Sequence, residues 1–221
     1  MNIAVLCDFD DTTAVENVAH LVLDRFAQDE WRALVKQFHE GAIIPKEYFE
    51  RPFQSVRAGK EAMQAHVRAT AHLRDGFGEM ARYCRQRGIE VAIVTHGLDF
   101  YVEALLEREG LDWITTYPVG AKFTGQGIQF EYRYTRAGCD DWGNCKCSVV
   151  DRYLERGKRV FYVGDGVSDY CPAKKAELVF ARAKLLELCR KDGLPYRELR
   201  EFGDVVRELE TMTDTHDNRL N

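Results

Sequence analysis

Ile3-Ala4-Val5-Leu6-Cys7-Asp8-Phe9-Asp10-Asp11-Thr12 is the stretch on which the reading of this chain turns. Five apolar residues run directly into three acids and a hydroxyl. A short apolar run, partly β-branched, predicts a buried strand of a parallel sheet. Ligands of open α/β sheets gather just beyond the carboxyl ends of such strands, which is where the acids fall. Residues two apart on an extended chain point the same way, so Asp8 and Asp10 can face one point while Phe9 turns away. Two carboxylates so close need a cation or a shared proton. A hard divalent ion with oxygen ligands, magnesium first, suits them. The plainer alternative is a solvated acidic turn at a strand end.

Two further buried strands end in the same manner. Residues 89–95 (Ile-Glu-Val-Ala-Ile-Val-Thr) lead into His96-Gly97 and a helix expected from about Leu98. A hydroxyl and backbone N–H groups at a helix N-terminus form a phosphate site. Val160-Phe161-Tyr162-Val163 leads into Gly164-Asp165-Gly166-Val167-Ser168-Asp169. The dinucleotide fingerprint G-x-G-x-x-G fails here, because Asp169 stands where its last glycine belongs.

Between Asp11 and Asp75 no strand pattern appears. Val15, Val18, Ala19, Val22 and Phe26 keep helical spacing, and Trp31, Leu34, Val35 and Phe38 repeat it. Gly41, Pro45 and Arg51-Pro52 mark stops and starts, and one more helix is expected over 60–71. Roughly sixty residues exceed a simple crossover, so a separate helical unit is expected. Alternation over Ile128, Phe130, Tyr132 and Tyr134, with a turn at Gly125 and Gly127, predicts a hairpin at the core's edge. Helices are expected near 184–190 and 204–209, with a frayed polar end.

The chain has 221 residues, 45% hydrophobic and 30% charged, with net charge −5. That suits a globular protein and gives no general attraction to nucleic acid or an anionic membrane. No apolar run is long enough to span a bilayer. The start enters a core strand at once, with no leader pattern, so a cytoplasmic location is expected. Seven cysteines, an odd number, fit reduced thiols. Cys139, Cys145 and Cys147 invite zinc, but C-x5-C-x-C is not a common zinc spacing and no histidine follows nearby.

Asp8-Phe9-Asp10-Asp11-Thr12 resembles the first motif, Asp-x-Asp-x-Thr, of the haloacid dehalogenase superfamily. Thr95 matches its second motif, Lys146 at a helix start its third, and Gly164-Asp165 with Asp169 its fourth. The ordered set is specific where each member is not. The resemblance implies an α/β, Rossmann-like parallel-sheet core (1–13 and 74–210) with a helical cap (14–73) inserted after the first strand, then a polar tail (211–221). It implies a nucleophile at Asp8 and a general acid–base at Asp10. Magnesium would be held by Asp8, Asp10 through its carbonyl, and Asp165, with Asp169 orienting a water. Phosphate would be bound by Asp11, Thr12, Thr95, His96, Gly97 and Lys146.

The long insertion resembles the cap of the phosphoserine phosphatase branch. Residues 94–102, 143–148, 180–186 and 193–196 resemble the methionine-salvage family of 2-hydroxy-3-keto-5-methylthiopentenyl-1-phosphate phosphatases. Asp11 departs from a usual Gly, Cys147 from a frequent Pro, and His96 from a common Gly. The expected activity is magnesium-dependent hydrolysis of a small phosphorylated metabolite, that enol-phosphate or a relative of it. Alternatives are a phosphoserine phosphatase-like enzyme, a phosphotransferase, or a non-catalytic phosphate-binding protein. Glu16, Arg51, Arg57 and Arg68 are candidate cap contacts, though each reads more simply as a solvated charge. A monomer and a homodimer both fit.

Overall fold

The computed structural model describes residues 2–124 and 127–217, and side chains as far as residue 212. β1 (Ile3–Cys7) is wholly buried and forms the middle of the sheet. Its alternate side chains enter two different cores. Ile3, Val5 and Cys7 face one cluster, and Ala4 and Leu6 the other. Period-two alternation therefore requires helices on both faces.

After β1 the chain makes a wide turn over Phe9–Thr13 and leaves the sheet at Ala14. It returns at Leu73, which pairs with Ala14 in an isolated antiparallel bridge. Between these points lie α1 (Val18–Phe26), α2 (Arg32–His39), α3 (Pro45–Glu50) and α4 (Lys60–Thr70). Asn17 caps α1 by accepting from the His20 N–H at 3.0 Å, and Pro45 opens α3. Pro52 ends that helical run in a 3-10 turn, Arg51–Ser55.

The core resumes with α5 (Phe77–Gln86), β2 (Glu90–Leu98), α6 (Asp99–Arg108), β3 (Thr115–Thr124) and β4 (Gly127–Glu131). α7 (Lys146–Glu155), β5 (Arg159–Gly164), α8 (Tyr170–Ala173), β6 (Leu178–Ala181), α9 (Ala183–Asp192), β7 (Tyr196–Glu198) and α10 (Gly203–Asp217) follow. The seven strands are ordered β4-β3-β2-β1-β5-β6-β7, and only β4 runs antiparallel. Phe77, Met80, Phe100, Leu105, Val205 and Leu209 cover one face. Val149, Val150, Tyr153, Leu185 and Cys189 cover the other.

Three details differ from the sequence pattern. β2 does not stop at Thr95. It bulges between Val94 and Leu98, pairs again at Leu98 with Val119, and α6 starts only at Asp99. β7 is three residues long, too short for periodicity to register. α10 runs on to Asp217, past the expected end of the last helix, while residues 218–221 and Gly125 lie outside the described residues.

Candidate active site

The carboxyl ends of β1, β2 and β5 and the N-terminus of α7 meet at the floor of a cavity of about 170 Å³. Lys146 is its only lysine or arginine among the described residues. Its side chain is 3% exposed, and its Nζ lies 2.7 Å from both Asp8 Oδ1 and Asp169 Oδ1. Asp8 Oδ1 also accepts the Phe9 N–H at 2.7 Å, so Oδ2 is left without a protein donor among the described residues. Asp169 is fully engaged. Tyr162 donates to Oδ1 at 2.8 Å, and the N–H groups of Asp165 and Gly166 donate to Oδ2 at 3.1 and 3.0 Å. A Cβ on Gly164 would come within 2.6 Å of Asp169, so only glycine admits this packing.

Charge sorts these groups. Burial acts to raise the Asp169 pKa, but the Lys146 charge and the donated bonds outweigh it and hold this carboxyl low. Asp8 is pushed well up by burial and then by the Asp169 charge, which Lys146 only partly offsets. Asp165 rises to about 7 through burial and Asp169, although Thr12 donates to its Oδ1 at 2.7 Å. Asp10 rises to about 6 through burial and the neighbouring Asp11. Its Oδ1 accepts the N–H groups of Val18 and Ala19 at 2.7 and 3.3 Å, and Tyr101 donates to Oδ2 at 3.3 Å. The acid is thus tied to the first turn of α1. Gly97 lies close by, and a Cβ there would sit 2.5 Å from the Tyr101 hydroxyl and 2.9 Å from Asp10 Oδ2.

One oxygen from each of Asp8, Asp165 and Asp169 lies within 4.8 Å of the others, the single such cluster of ligand groups among the described residues. All three are hard carboxylate donors whose raised or Lys-dependent ionisation shows a need for positive charge. They fit a divalent cation of the magnesium type. Cys139, Cys145 and Cys147 form no such cluster, and all seven cysteines are free.

Of the other expected phosphate contacts, Asp11, Thr95, His96 and Gly97 line the cavity. Thr12 does not, because its hydroxyl is turned to Asp165. None of Glu16, Arg51, Arg57 and Arg68 lines it. Glu16 binds His72 at 2.8 Å, Arg57 donates to the carbonyls of Gln54 and Val56, and Arg68 pairs with Glu107 at 3.0 Å; Arg51 opens the 3-10 turn with its side chain exposed. The insertion instead offers Asn17, His20, Leu23, Trp31, Tyr48 and Phe49. His20 Nε2 lies 2.9 Å from the Tyr48 hydroxyl. Sequence spacing gave no sign of these, since an aromatic at helical period reads as core. Asn144 was missed as well, although it is buried just before Lys146 and bonds Pro118, Tyr134 and His96.

The profile of the haloacid dehalogenase-like hydrolases matches residues 5–174, and the chain belongs to that family. Among curated proteins it is similar to 2-hydroxy-3-keto-5-methylthiopentenyl-1-phosphate phosphatases. That of Brevibacillus brevis is 29% identical over 94% of this chain and 95% of the relative. That of Exiguobacterium sibiricum is 30% identical over 96% and 98%. A bifunctional enzyme MtnB/MtnX of Bacillus licheniformis is 34% identical over 93% of this chain, which spans 49% of that protein. Among solved structures, a phospho-aspartyl intermediate analogue of phosphoserine phosphatase superposes with a TM-score of 0.71 at 19% identity, covering 93% of this chain and 98% of its own. The likeness in fold is therefore shown. No described helix is long and apolar enough to cross a membrane.

Proposed function

We propose that the protein is a magnesium-dependent phosphomonoester hydrolase of a small phosphorylated metabolite, with 2-hydroxy-3-keto-5-methylthiopentenyl 1-phosphate the first candidate. The observation that carries this is the buried array of Asp8, Lys146 and Asp169, closed at 2.7 Å on both sides at the floor of a small cavity. The names of the curated relatives supply the candidate substrate.

Asp8 is the nucleophile. Its Oδ2 attacks phosphorus, the ester oxygen leaves, and an aspartyl phosphate forms. Asp10 gives the leaving oxygen its proton and then takes one from the attacking water; a pKa near 6 suits both duties. Lys146, the Thr95 hydroxyl and the Gly97 N–H stabilise the phosphoryl oxygens. Asp8, the Asp10 carbonyl and Asp165 would hold magnesium, with Asp169 as a supporting group behind them. Magnesium, when bound, supplies charge neutralisation at the phosphoryl group. Residues 14–73 act as a cap that excludes water and reads the substrate tail.

The test is phosphate release with and without magnesium over a panel of small phosphate esters that includes the enol-phosphate and phosphoserine. Magnesium-dependent release is expected, fastest on the enol-phosphate. Phosphorylation of an added alcohol in place of phosphate release would make the protein a phosphotransferase. Binding of phosphate esters without turnover would refute the enzymatic reading.

A further inference from the structure

His96 stands beside Thr95 where the fold leaves room for no side chain at the next position, and its ring does three things at once. It stacks on Phe49 of α3, with centroids 5.1 Å apart and planes at 21°. It stacks on Trp142, in the loop before α7, at 5.3 Å and 24°. Its Nε2 lies 2.9 Å from the carbonyl oxygen of Asn144. A carbonyl only accepts, so Nε2 carries the proton and Nδ1 is the acceptor nitrogen.

The three contacts belong to three separate parts of the chain. Phe49 is in the insertion, His96 lies in the bulge of β2, and Trp142 and Asn144 lie in the loop that delivers Lys146. That loop has one more link to α3, since Tyr132 donates to Glu50 Oε1 at 2.8 Å and Lys46 sits 5.0 Å over the Tyr132 ring. Asn144 is itself fixed, donating from Nδ2 to the Pro118 carbonyl at 3.0 Å and accepting the Tyr134 N–H at 3.1 Å. Two residues on, Lys146 reaches Asp8 and Asp169. Phe49, His96 and Lys146 all line the cavity.

We infer that His96 is a positioning residue that couples the docking of the helical insertion on the core to the placement of the phosphate-binding lysine. Docking of Phe49 completes a three-ring cluster, its own centroid 6.4 Å from that of Trp142, and the cluster fixes the imidazole plane so that Nε2–H is aimed at the Asn144 carbonyl. The Asn144 backbone then sets where α7 begins. Burial, followed by the Lys146 charge, holds the imidazole pKa down to about 3, so the ring stays neutral at working pH. The inference rests on the phosphatase reading only for its kinetic test.

Two substitutions separate the ring's two roles. His96→Phe keeps a flat ring for Phe49 and Trp142 but loses the donor. His96→Gln keeps a donor of similar reach but loses the stack. The first is expected to lower kcat with KM little changed. The second is expected to raise KM more than it lowers kcat. His96→Ala loses both, and kcat/KM is expected to fall about tenfold to a hundredfold, as a small misplacement near the chemistry does.

Hydrogen exchange, followed by mass spectrometry on the substrate-free protein, supplies a readout independent of turnover. In His96→Ala, exchange should rise together in residues 45–50 and 139–147 and stay unchanged in residues 178–192. Wild-type kinetics in both His96→Phe and His96→Gln would overturn the inference. So would exchange raised evenly through the sheet with a lower Tm, which would make His96 a plain structural residue. If wild-type protein hydrolyses no phosphate ester, the phosphatase reading fails, and the exchange arm alone decides the role of His96.

Discussion

Lys146→Ala is the most informative perturbation, because one side chain joins the proposed nucleophile to its supporting acid. In the native protein a single buried ammonium contacts Asp8 and Asp169 at 2.7 Å each. Two losses follow its removal. A preorganised charge contact to the phosphoryl group disappears, which by itself is worth about 10²–10³ in rate, or roughly 2.7–4 kcal/mol. Asp8, already pushed up by burial and by Asp169, also loses the group that lowers it, so less of it is ionised at neutral pH. Together these should cut kcat/KM by at least about a hundredfold at pH 7, with part of the loss recovered toward pH 9.

Stability should fall as well. Removing one partner from a buried ion pair costs about 3–5 kcal/mol when the remaining charge stays uncompensated. Here the two carboxylates can share a proton, so the loss should be smaller and should lessen at lower pH. Lys146→Arg should restore little, since two acids converge on one nitrogen and a planar fork cannot copy that. The assay is kcat/KM from pH 6 to 9 at saturating magnesium, alongside thermal melts. A folded Lys146→Ala protein with near-normal kinetics would show that another group anchors the phosphate.

Asp8→Asn should abolish turnover while keeping the fold, and substantial activity in a well-folded variant would refute the covalent route. Gly97→Ala should lower activity by tenfold or so through its clash with Tyr101 and Asp10, read as a kcat loss without a matching loss of Tm. For metal-free protein, Asp10 and Asp165 have folded pKa values of about 6 and about 7, above the unfolded range near 4. The folded state therefore binds more protons between about pH 4 and 7, and Tm should rise as pH falls from 8 to 5. Magnesium competes for those carboxylates, so its gain in Tm should be larger at pH 8 than at pH 5; an equal gain at both would place the metal elsewhere.

How much was legible in sequence depended on what each residue contacts. A parallel sheet covered on both faces follows from buried strands that alternate between two cores, and β1, β2, β5 and β6 all carry that apolar signal. Acids at the ends of β1 and β5 were readable because a carboxylate after a buried strand has few structural reasons to be there. Thr12, expected among the phosphate contacts, does not line the cavity, and the cause is related. Its motif position is shared with groups that face the cavity, yet its hydroxyl satisfies Asp165, a choice only three-dimensional packing makes. The insertion was harder still. Arg51, Arg57 and Arg68 drew notice as charges, while the residues that line the cavity are His20, Trp31, Tyr48 and Phe49. On an amphipathic helix such side chains cannot be told from core by spacing, because which stripe faces a cavity depends on docking angle.

Asp11 shows how a departure from a family pattern acquires physical content. Its φ of 59° is the left-handed conformation that glycine adopts freely and that other residues occupy at a cost of roughly 1–2 kcal/mol. Asp is among the residues that tolerate it best. The conformation is held from outside: Arg74 and Arg182 each donate to the Asp11 carbonyl at 2.7 Å, and Asn17 donates to its carboxylate at 3.0 Å. Those arginines come from the start of the returning core segment and from the end of β6, so the turn that carries Asp8 and Asp10 is clamped by both. A glycine needs no such clamp to reach this φ. With Asp in its place, the clamp sets the turn, and an additional carboxylate enters the cavity, where it raises the pKa of Asp10 and Asp165. Asp11 thus adds a carboxylate beside Asp10 and Asp165, which favours a bound cation at the proposed metal site.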